Sequence, residues 1–174
     1  MGIEIERKYI IKLPDFSVIC KMEEYSVSEI VQTYLSSDVG ISQRVRKRIS
    51  RGVAVYTQTK KRRIDKLSAE EQEREISASE YEKLLLLGDA ALRPIIKTRH
   101  VFKYMGQLFE IDVYPEWKST CIMETELNDR NEVVKIPEFI TVLREVTGNG
   151  EYSNHGMSRH FPDEISQCQP KLYL

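Results

Sequence analysis

Charged residues recur at every second position in one segment of this chain after another. Glu4, Glu6 and Lys8 alternate, and so do Arg44, Arg46 and Arg48, Glu71, Glu73 and Glu75, Lys97 and Arg99, Glu110 and Asp112, and Glu124 and Glu126. A period of two puts each set on one face of a β-strand, because successive side chains point to opposite sides of the pleat. The residues between them, such as Ile5, Val45 and Ile111, form the other face. The pattern predicts strands over 3–11, 29–35, 42–49, 53–60, 71–76, 95–104, 107–114 and 120–127. Short glycine-containing separations at Ser50-Arg51-Gly52 and Met105-Gly106 predict antiparallel hairpins. Two helices interrupt the strands. Ser77, three residues before Glu80, opens a capping-box helix that Gly88 terminates, and the segment from Pro137 to Gly148 reads as a second helix. A short third helix is expected over 151–161.

Many antiparallel strands with few helices argue for a sheet closed on itself, since closure removes exposed edges. Two orientations stay open for the charged faces. They can point to water as an ion-pair ladder of little energetic worth, or they can line a lumen while the apolar faces support the outside, partly under the helices. Composition limits the partners. The 26 Lys+Arg nearly cancel the 27 Asp+Glu, leaving a formal net charge of −1. No global field attracts nucleic acid or an acidic membrane, so any anion site is local. No stretch approaches the roughly 20 apolar residues of a membrane span, and the expected location is cytoplasmic. Cys20, Cys121 and Cys168 follow neither a CxxC nor a Cys/His spacing and are expected to be free thiols. At 174 residues without a Pro/Gly/Ser-rich linker, the chain is expected to form one domain, 1–174.

An inward arrangement would have a chemistry. Arg grips phosphate oxygens in a planar fork and Lys supplies a mobile point charge. Carboxylates, water and phosphate oxygens suit a hard cation such as Mg²⁺. A lumen carrying both charge types is suited to a metal–triphosphate complex.

In this order the motifs resemble the CYTH family, also called triphosphate tunnel metalloenzymes. Glu-x-Glu-x-Lys is matched by Glu4, Glu6 and Lys8, and the basic pair of the next motif strand by Arg44 and Arg46. TQTK is similar to the family's Thr-x-Lys strand ending at Lys60. EREI at 73–76 resembles its central acidic strand, KTR its Lys-x-Arg pair, FEIDVY its Glu-x-Asp strand and METEL its late Glu-x-Glu strand. VTGNGEYSN is similar to its C-terminal segment. Many members place an Arg where this chain has Glu71, so the register of Glu71, Glu73 and Glu75 stays open.

The resemblance implies a mainly β (α+β) fold: a closed eight-stranded antiparallel β-barrel forming a tunnel, with a few flanking helices. It implies Glu4, Glu6, Glu124 and Glu126 as ligands of magnesium or manganese (Mg²⁺ or Mn²⁺), with Asp112 as a neighbour. Arg44, Arg46, Lys60, Lys97 and Arg99 would bind phosphate, and Lys8 would hold a terminal phosphate or orient water. Lys8, Glu6 and Glu126 are the expected catalytic set. The implied activity is metal-dependent hydrolysis of inorganic triphosphate (tripolyphosphate) or a related triphosphate-containing small molecule, by a monomer or homodimer. Two alternatives are a class IV-type adenylate cyclase converting ATP to cyclic AMP and a non-catalytic polyphosphate- or nucleotide-binding module. Arg48, Lys47 and the KKRR run at 60–63 apart from Lys60 are expected at the exposed surface. His100 and His160 are expected in surface or hydrogen-bonded roles, and Tyr152 and Asn154 as caps of the C-terminal segment.

Overall fold

The computed structural model describes residues 2–165, so Cys168 lies outside the described residues. Nine strands follow in chain order: β1 Gly2–Lys12, β2 Glu23–Leu35, β3 Ile41–Ser50, β4 Val53–Arg63, β5 Ser68–Ile76, β6 Ile95–Tyr104, β7 Gln107–Val113, β8 Thr120–Glu126 and β9 Val142–Glu145. Three short helices accompany them: α1 Phe16–Ile19, α2 Ala78–Leu85 and α3 Asn154–Arg159. Both expected hairpins form. Arg51 and Gly52 have φ of 50° and 79°, and Met105 and Gly106 have 48° and 83°. Two consecutive positive φ values are the two-residue turn whose twist matches the strands it joins.

The strands are ordered β5-β4-β3-β2-β6-β7-β8-β1-β9, and β5 also pairs with β1. That last pairing, Gly2↔Glu71 to Ile5↔Ser68, closes an eight-stranded antiparallel barrel. Only the first part of β1 is used in it. The exposed edge left at Tyr9–Ile11 is paired by β9, as expected where a bare strand edge must be satisfied. This replaces the helix predicted from Pro137 to Gly148. Its apolar spacing fits a helix, but Pro137 opens only a turn, with Ile140 N–H donating to its carbonyl at 2.9 Å, and the chain then extends along β1. The helix expected after Ser77 does form, with Ser77 Oγ accepting from Glu80 N–H at 3.1 Å, but it ends at Leu85, before Gly88. A 3-10 turn at Gly150–Tyr152 and α3 occupy the third expected helical segment.

Apolar residues support the barrel from outside. Tyr9, Ile11, Phe102, Phe109, Ile111, Cys121 and Met123 form a buried cluster under Ile19 and Ile140. Leu35, Val45 and Ile76 pack against Tyr81 of α2. Each fully buried Ile or Phe contributes about 1.5–3 kcal/mol, and here that burial lies on the wall's outer face. One stretch of the inner face is also apolar. Ile10, Tyr34, Ile95, Tyr114 and Ile122 form a floor together with Val146, Tyr152 and Met157 of the C-terminal segment. Among the described residues no helix is long and apolar enough to cross a membrane. Cys20 and Cys121 are free thiols.

Candidate functional site

Directly paired residues on neighbouring strands share a face, so register decides which side chains meet inside. Glu6 pairs with Glu126 and Lys8 with Glu124 across β1 and β8. Arg99 pairs with Asp112, Glu110 with Glu124, and Arg44 with Thr59. These faces line a cavity of about 920 Å³ whose walls include Glu4, Glu6, Lys8, Arg44, Arg46, Lys61, Lys97, Arg99, Glu124 and Glu126. Of the two orientations open from sequence, the inward one is realised.

The charges are held by one another. Lys8 Nζ lies 2.7 Å from Glu124 and 3.7 Å from Glu6. Lys61 joins Glu4 at 2.9 Å to Glu71 at 3.0 Å. Arg44 reaches Glu71 at 3.3 Å and Arg46 reaches Glu73 at 3.0 Å. Arg99 contacts Glu110, Asp112 and Glu124. Burial opposes ionisation of Glu124, but Lys8, Arg99 and Lys97 hold its carboxyl well below the usual range. Burial likewise works against the Lys8 ammonium, and Glu124 and Glu6 outweigh it. Lys97 behaves differently: burial, aided by the Arg99 charge, pushes its pKa down to about 8.

Two groups have needs that the protein does not meet. The Nε atoms of Arg44 and Arg46 are buried without a hydrogen-bond partner among the described residues. An unsatisfied buried donor of this kind is costly, and an anion between the two guanidiniums would satisfy both. On the opposite wall, Glu126 faces Glu6 directly and makes no ion pair among the described residues. Burial raises its pKa, and the neighbouring Glu4, Glu110 and Glu6 raise it further. Like charges directly opposite on a sheet destabilise it, and a cation would relieve them. The donors are all carboxylate oxygens, the set a hard divalent ion accepts. Among the described residues, no three His, Cys, Asp or Glu side chains stand close enough together to hold a metal. The set therefore fits such an ion in chemistry and charge rather than as a preformed cage, which suits Mg²⁺ because it keeps several of its waters.

Three sequence expectations are corrected, and one open register is resolved. Lys60 is exposed on the outer face, paired to Gln43, while Lys61 turns inward beside Thr59. The TQTKK segment contains two overlapping Thr-x-Lys readings one residue apart, and a slip of one residue exchanges faces. Asp112 is fully buried beneath Lys97 at 2.5 Å and Arg99 at 2.7 Å and does not line the cavity. Both carboxylate oxygens are taken by these cations, so it anchors them instead of facing an ion. Lys61, expected at the surface, is half-buried and lines the cavity, whereas Arg48 and Arg63 are exposed as expected, at the cavity's border. In the acidic strand, Glu71 and Glu73 line it, whereas Glu75 is exposed at the strand's end and does not.

Sequence reasoning also missed Gln32 and Tyr34. Gln32 Nε2 donates to the Tyr34 hydroxyl at 3.0 Å within the lining. Nothing but alternation along β2 marks them. His100 takes the hydrogen-bonded role, with Nδ1 3.0 Å from the Tyr25 hydroxyl, and His160 is exposed. Asn154 accepts from the Tyr114 hydroxyl at 2.9 Å and also lines the cavity, and Tyr152 is buried in the floor.

The inward lysine can be tested by stability alone. Lys61→Ala leaves Glu4 and Glu71 without their shared cation and is expected to cost about 1–3 kcal/mol. Lys60→Ala is expected to leave the melting temperature unchanged. Thermal denaturation of both variants checks the pair, and equal melting temperatures would reverse the assignment.

No family model and no curated protein matches the chain. Among solved structures, the inorganic triphosphatase NE1496 is similar at 27% identity with a TM-score of 0.59, covering 94% of this chain and 99% of that one. A second structure of NE1496 gives 26% and 0.56 over 91% and 99%. The PH1819 protein of Pyrococcus horikoshii OT3 shares the fold, with a TM-score of 0.55 at 23% identity over 74% of this chain and 80% of its own. The likeness to NE1496 runs through the whole barrel, and the acidic and basic motifs follow in order around the inner wall, as the resemblance to the CYTH, or triphosphate tunnel, family implies.

Proposed function

We propose that this protein is a metal-dependent triphosphatase acting on inorganic triphosphate or a closely related triphosphate-containing molecule. The observation that carries the reading is the pair of buried, unpartnered Nε donors on Arg44 and Arg46 in a cavity whose opposite wall holds mutually repelling carboxylates. One wall favours an anion and the opposite wall a cation. The similarity to the inorganic triphosphatase NE1496 supports the same chemistry.

In this reading Arg44 and Arg46 grip the phosphate chain, with Lys61, Lys97, Arg99 and Lys8 completing the cationic wall. Phosphoryl transfer is mainly positioning and charge neutralisation, which such a wall supplies. Glu4, Glu6 and Glu126 would hold Mg²⁺ or Mn²⁺, with Glu110 alongside, and the ion would neutralise charge on the phosphate oxygens. Glu124 is engaged by Lys8 and Arg99. Its role is to fix those two cations, although it also borders the metal wall. Hydrolysis adds the oxygen of water to the terminal phosphorus and breaks its bridging P–O bond, releasing orthophosphate and pyrophosphate. Lys8, between Glu6 and Glu124, would orient that water or the terminal phosphate.

A phosphate-release assay with tripolyphosphate, ATP and thiamine triphosphate, each with Mg²⁺ or Mn²⁺, tests the reading. Release from tripolyphosphate is expected, and excess EDTA is expected to abolish it. Turnover undiminished by EDTA would reject the metal. Cyclic AMP formed from ATP without orthophosphate release would make the protein a cyclase, and binding without turnover would make it a binding module.

A further inference from the structure

Lys8 sits where β1 changes partners along one edge. Before it, Glu4 pairs with Ala69 of β5 and the Glu6 N–H donates to the Leu67 carbonyl at 3.1 Å. After it, Ile10 pairs with Arg144 of β9 and the Lys12 N–H donates to the Thr141 carbonyl at 2.9 Å. At Lys8 itself the backbone ladder is incomplete. Its carbonyl accepts from Val146 N–H at 2.8 Å, but its own N–H is met by a side chain, donating to Thr147 Oγ1 at 3.0 Å. The chain leaves the sheet directly after this point. Gly148 has a φ of 75°, and a Cβ there would lie 2.9 Å from Lys66 Cβ and 3.0 Å from the Lys66 carbonyl, so the backbone turns away while pressed against the β4–β5 turn. The Thr147 hydroxyl therefore fills a gap in the pairing of β1.

A hydroxyl that accepts a hydrogen bond is fixed when its own proton has a place to go. Thr147 Oγ1 donates to Glu145 Oε1 at 2.8 Å, and Arg7 holds the same carboxylate oxygen at 2.8 Å. The Lys8 carbonyl is a poorer acceptor for that proton, at 3.5 Å and already engaged by Val146. A relay thus runs from Lys8 N–H through Thr147 to Glu145 and Arg7. Arg7 and Glu145 lie on the outer face, since Arg7 alternates with Lys8 and Glu145 pairs with Tyr9. Neither Thr147 nor Glu145 lines the cavity. The side chain of Lys8 points the other way, with Nζ 2.7 Å from Glu124 and 3.7 Å from Glu6. Lys8 is buried, and a buried N–H that loses its acceptor draws the backbone toward another one. Such a shift moves the root of the side chain that carries the ammonium.

We infer that Thr147, oriented by Glu145, is a positioning residue for Lys8: from outside the cavity it fixes the stretch of backbone from which the ammonium reaches Glu124 and Glu6. The inference rests on the reading in which Lys8 orients the water or the terminal phosphate. It adds no contact to the substrate and acts only through Lys8.

Thr147→Val keeps the shape of the side chain and removes the hydroxyl, and Thr147→Ser keeps the hydroxyl and removes the methyl. Steady-state phosphate release from tripolyphosphate with Mg²⁺, together with crystal structures of both variants, tests the assignment. Thr147→Val is expected to lower kcat about tenfold with KM changed less than about twofold, because a misplacement of under about 1 Å at a reacting group has effects of this order. Thr147→Ser is expected to recover most of the loss. Unchanged kcat in Thr147→Val overturns the assignment, and so does an equal loss in both variants, which would trace the effect to packing of the methyl. Should the wild type release no phosphate, the triphosphatase reading fails on its own, and the crystal structures decide the positioning role. Lys8 Nζ displaced from Glu124 in Thr147→Val and restored in Thr147→Ser supports it, and an ammonium that stays in place in Thr147→Val overturns it.

Discussion

Glu6→Gln is expected to lower kcat at least about 100-fold while the barrel stays folded. The substitution keeps the size of the side chain and removes one carboxylate from the wall that would hold the metal. Even residues that merely orient metal ligands cost 10–100-fold when changed, so a ligand should cost no less. Stability is expected to move the other way. Glu6 faces Glu126 directly across β1 and β8, and its charge is among those that raise the Glu126 pKa, after burial, Glu4 and Glu110. Removing it relieves repulsion in the apo protein, and the melting temperature should hold or rise. Among the described residues its one ion pair, with Lys8 at 3.7 Å, is long, and Lys8 keeps Glu124 at 2.7 Å; Lys61, whose ammonium Glu6 also favours, keeps Glu4 and Glu71. Titrating Mg²⁺ against turnover, together with a thermal melt, separates the two effects. Extra metal should restore part of the activity. Wild-type turnover at low Mg²⁺ would remove Glu6 from the metal wall.

Arg46→Ala is expected to cost at least tenfold in kcat/KM for tripolyphosphate, and added metal should restore none of it. A hydrogen bond to a charged group contributes roughly 1.5–3 kcal/mol, which corresponds to about 10- to 150-fold. Arg46 holds Glu73 with one edge of its guanidinium and leaves Nε buried and unpartnered. Burial, reinforced by the Arg44 charge, lowers its pKa, so the site itself supplies part of the demand for an anion. The contrast in metal rescue between the two variants separates a metal-wall lesion from a phosphate-wall lesion. If both variants keep full activity, the alternating charges serve the barrel wall alone.

Much of this was legible before any coordinates. The period of two is local stereochemistry, so the sequence alone determined that Glu4, Glu6 and Lys8 share a face, as do Arg44 and Arg46, Lys97 and Arg99, and Glu124 and Glu126. The hairpin turns at Arg51-Gly52 and Met105-Gly106 were equally local, because glycine following a short separation admits the positive φ they use. What alternation cannot say is which face is inside. That was decided by closure of β5 onto β1, which joins segments far apart in the chain and turns every charged row inward at once.

Choices of one residue were also tertiary. Lys60 and Lys61 are indistinguishable by residue type, and the pairing of Arg44 with Thr59 fixes Lys61 as the inner one. Asp112 looked like a metal neighbour because carboxylates alternate on its strand; only the packing of Lys97 and Arg99 over it shows that its oxygens are already taken. The stretch from Pro137 to Gly148 has helical apolar spacing, and a strand formed because β1 offered an edge between Tyr9 and Ile11 that β5 leaves unpaired. The sequence determined the faces, through the geometry of neighbouring residues. The tertiary structure decided inside from outside and free groups from paired ones, because those depend on hydrogen-bond register and burial between strands that no local pattern encodes.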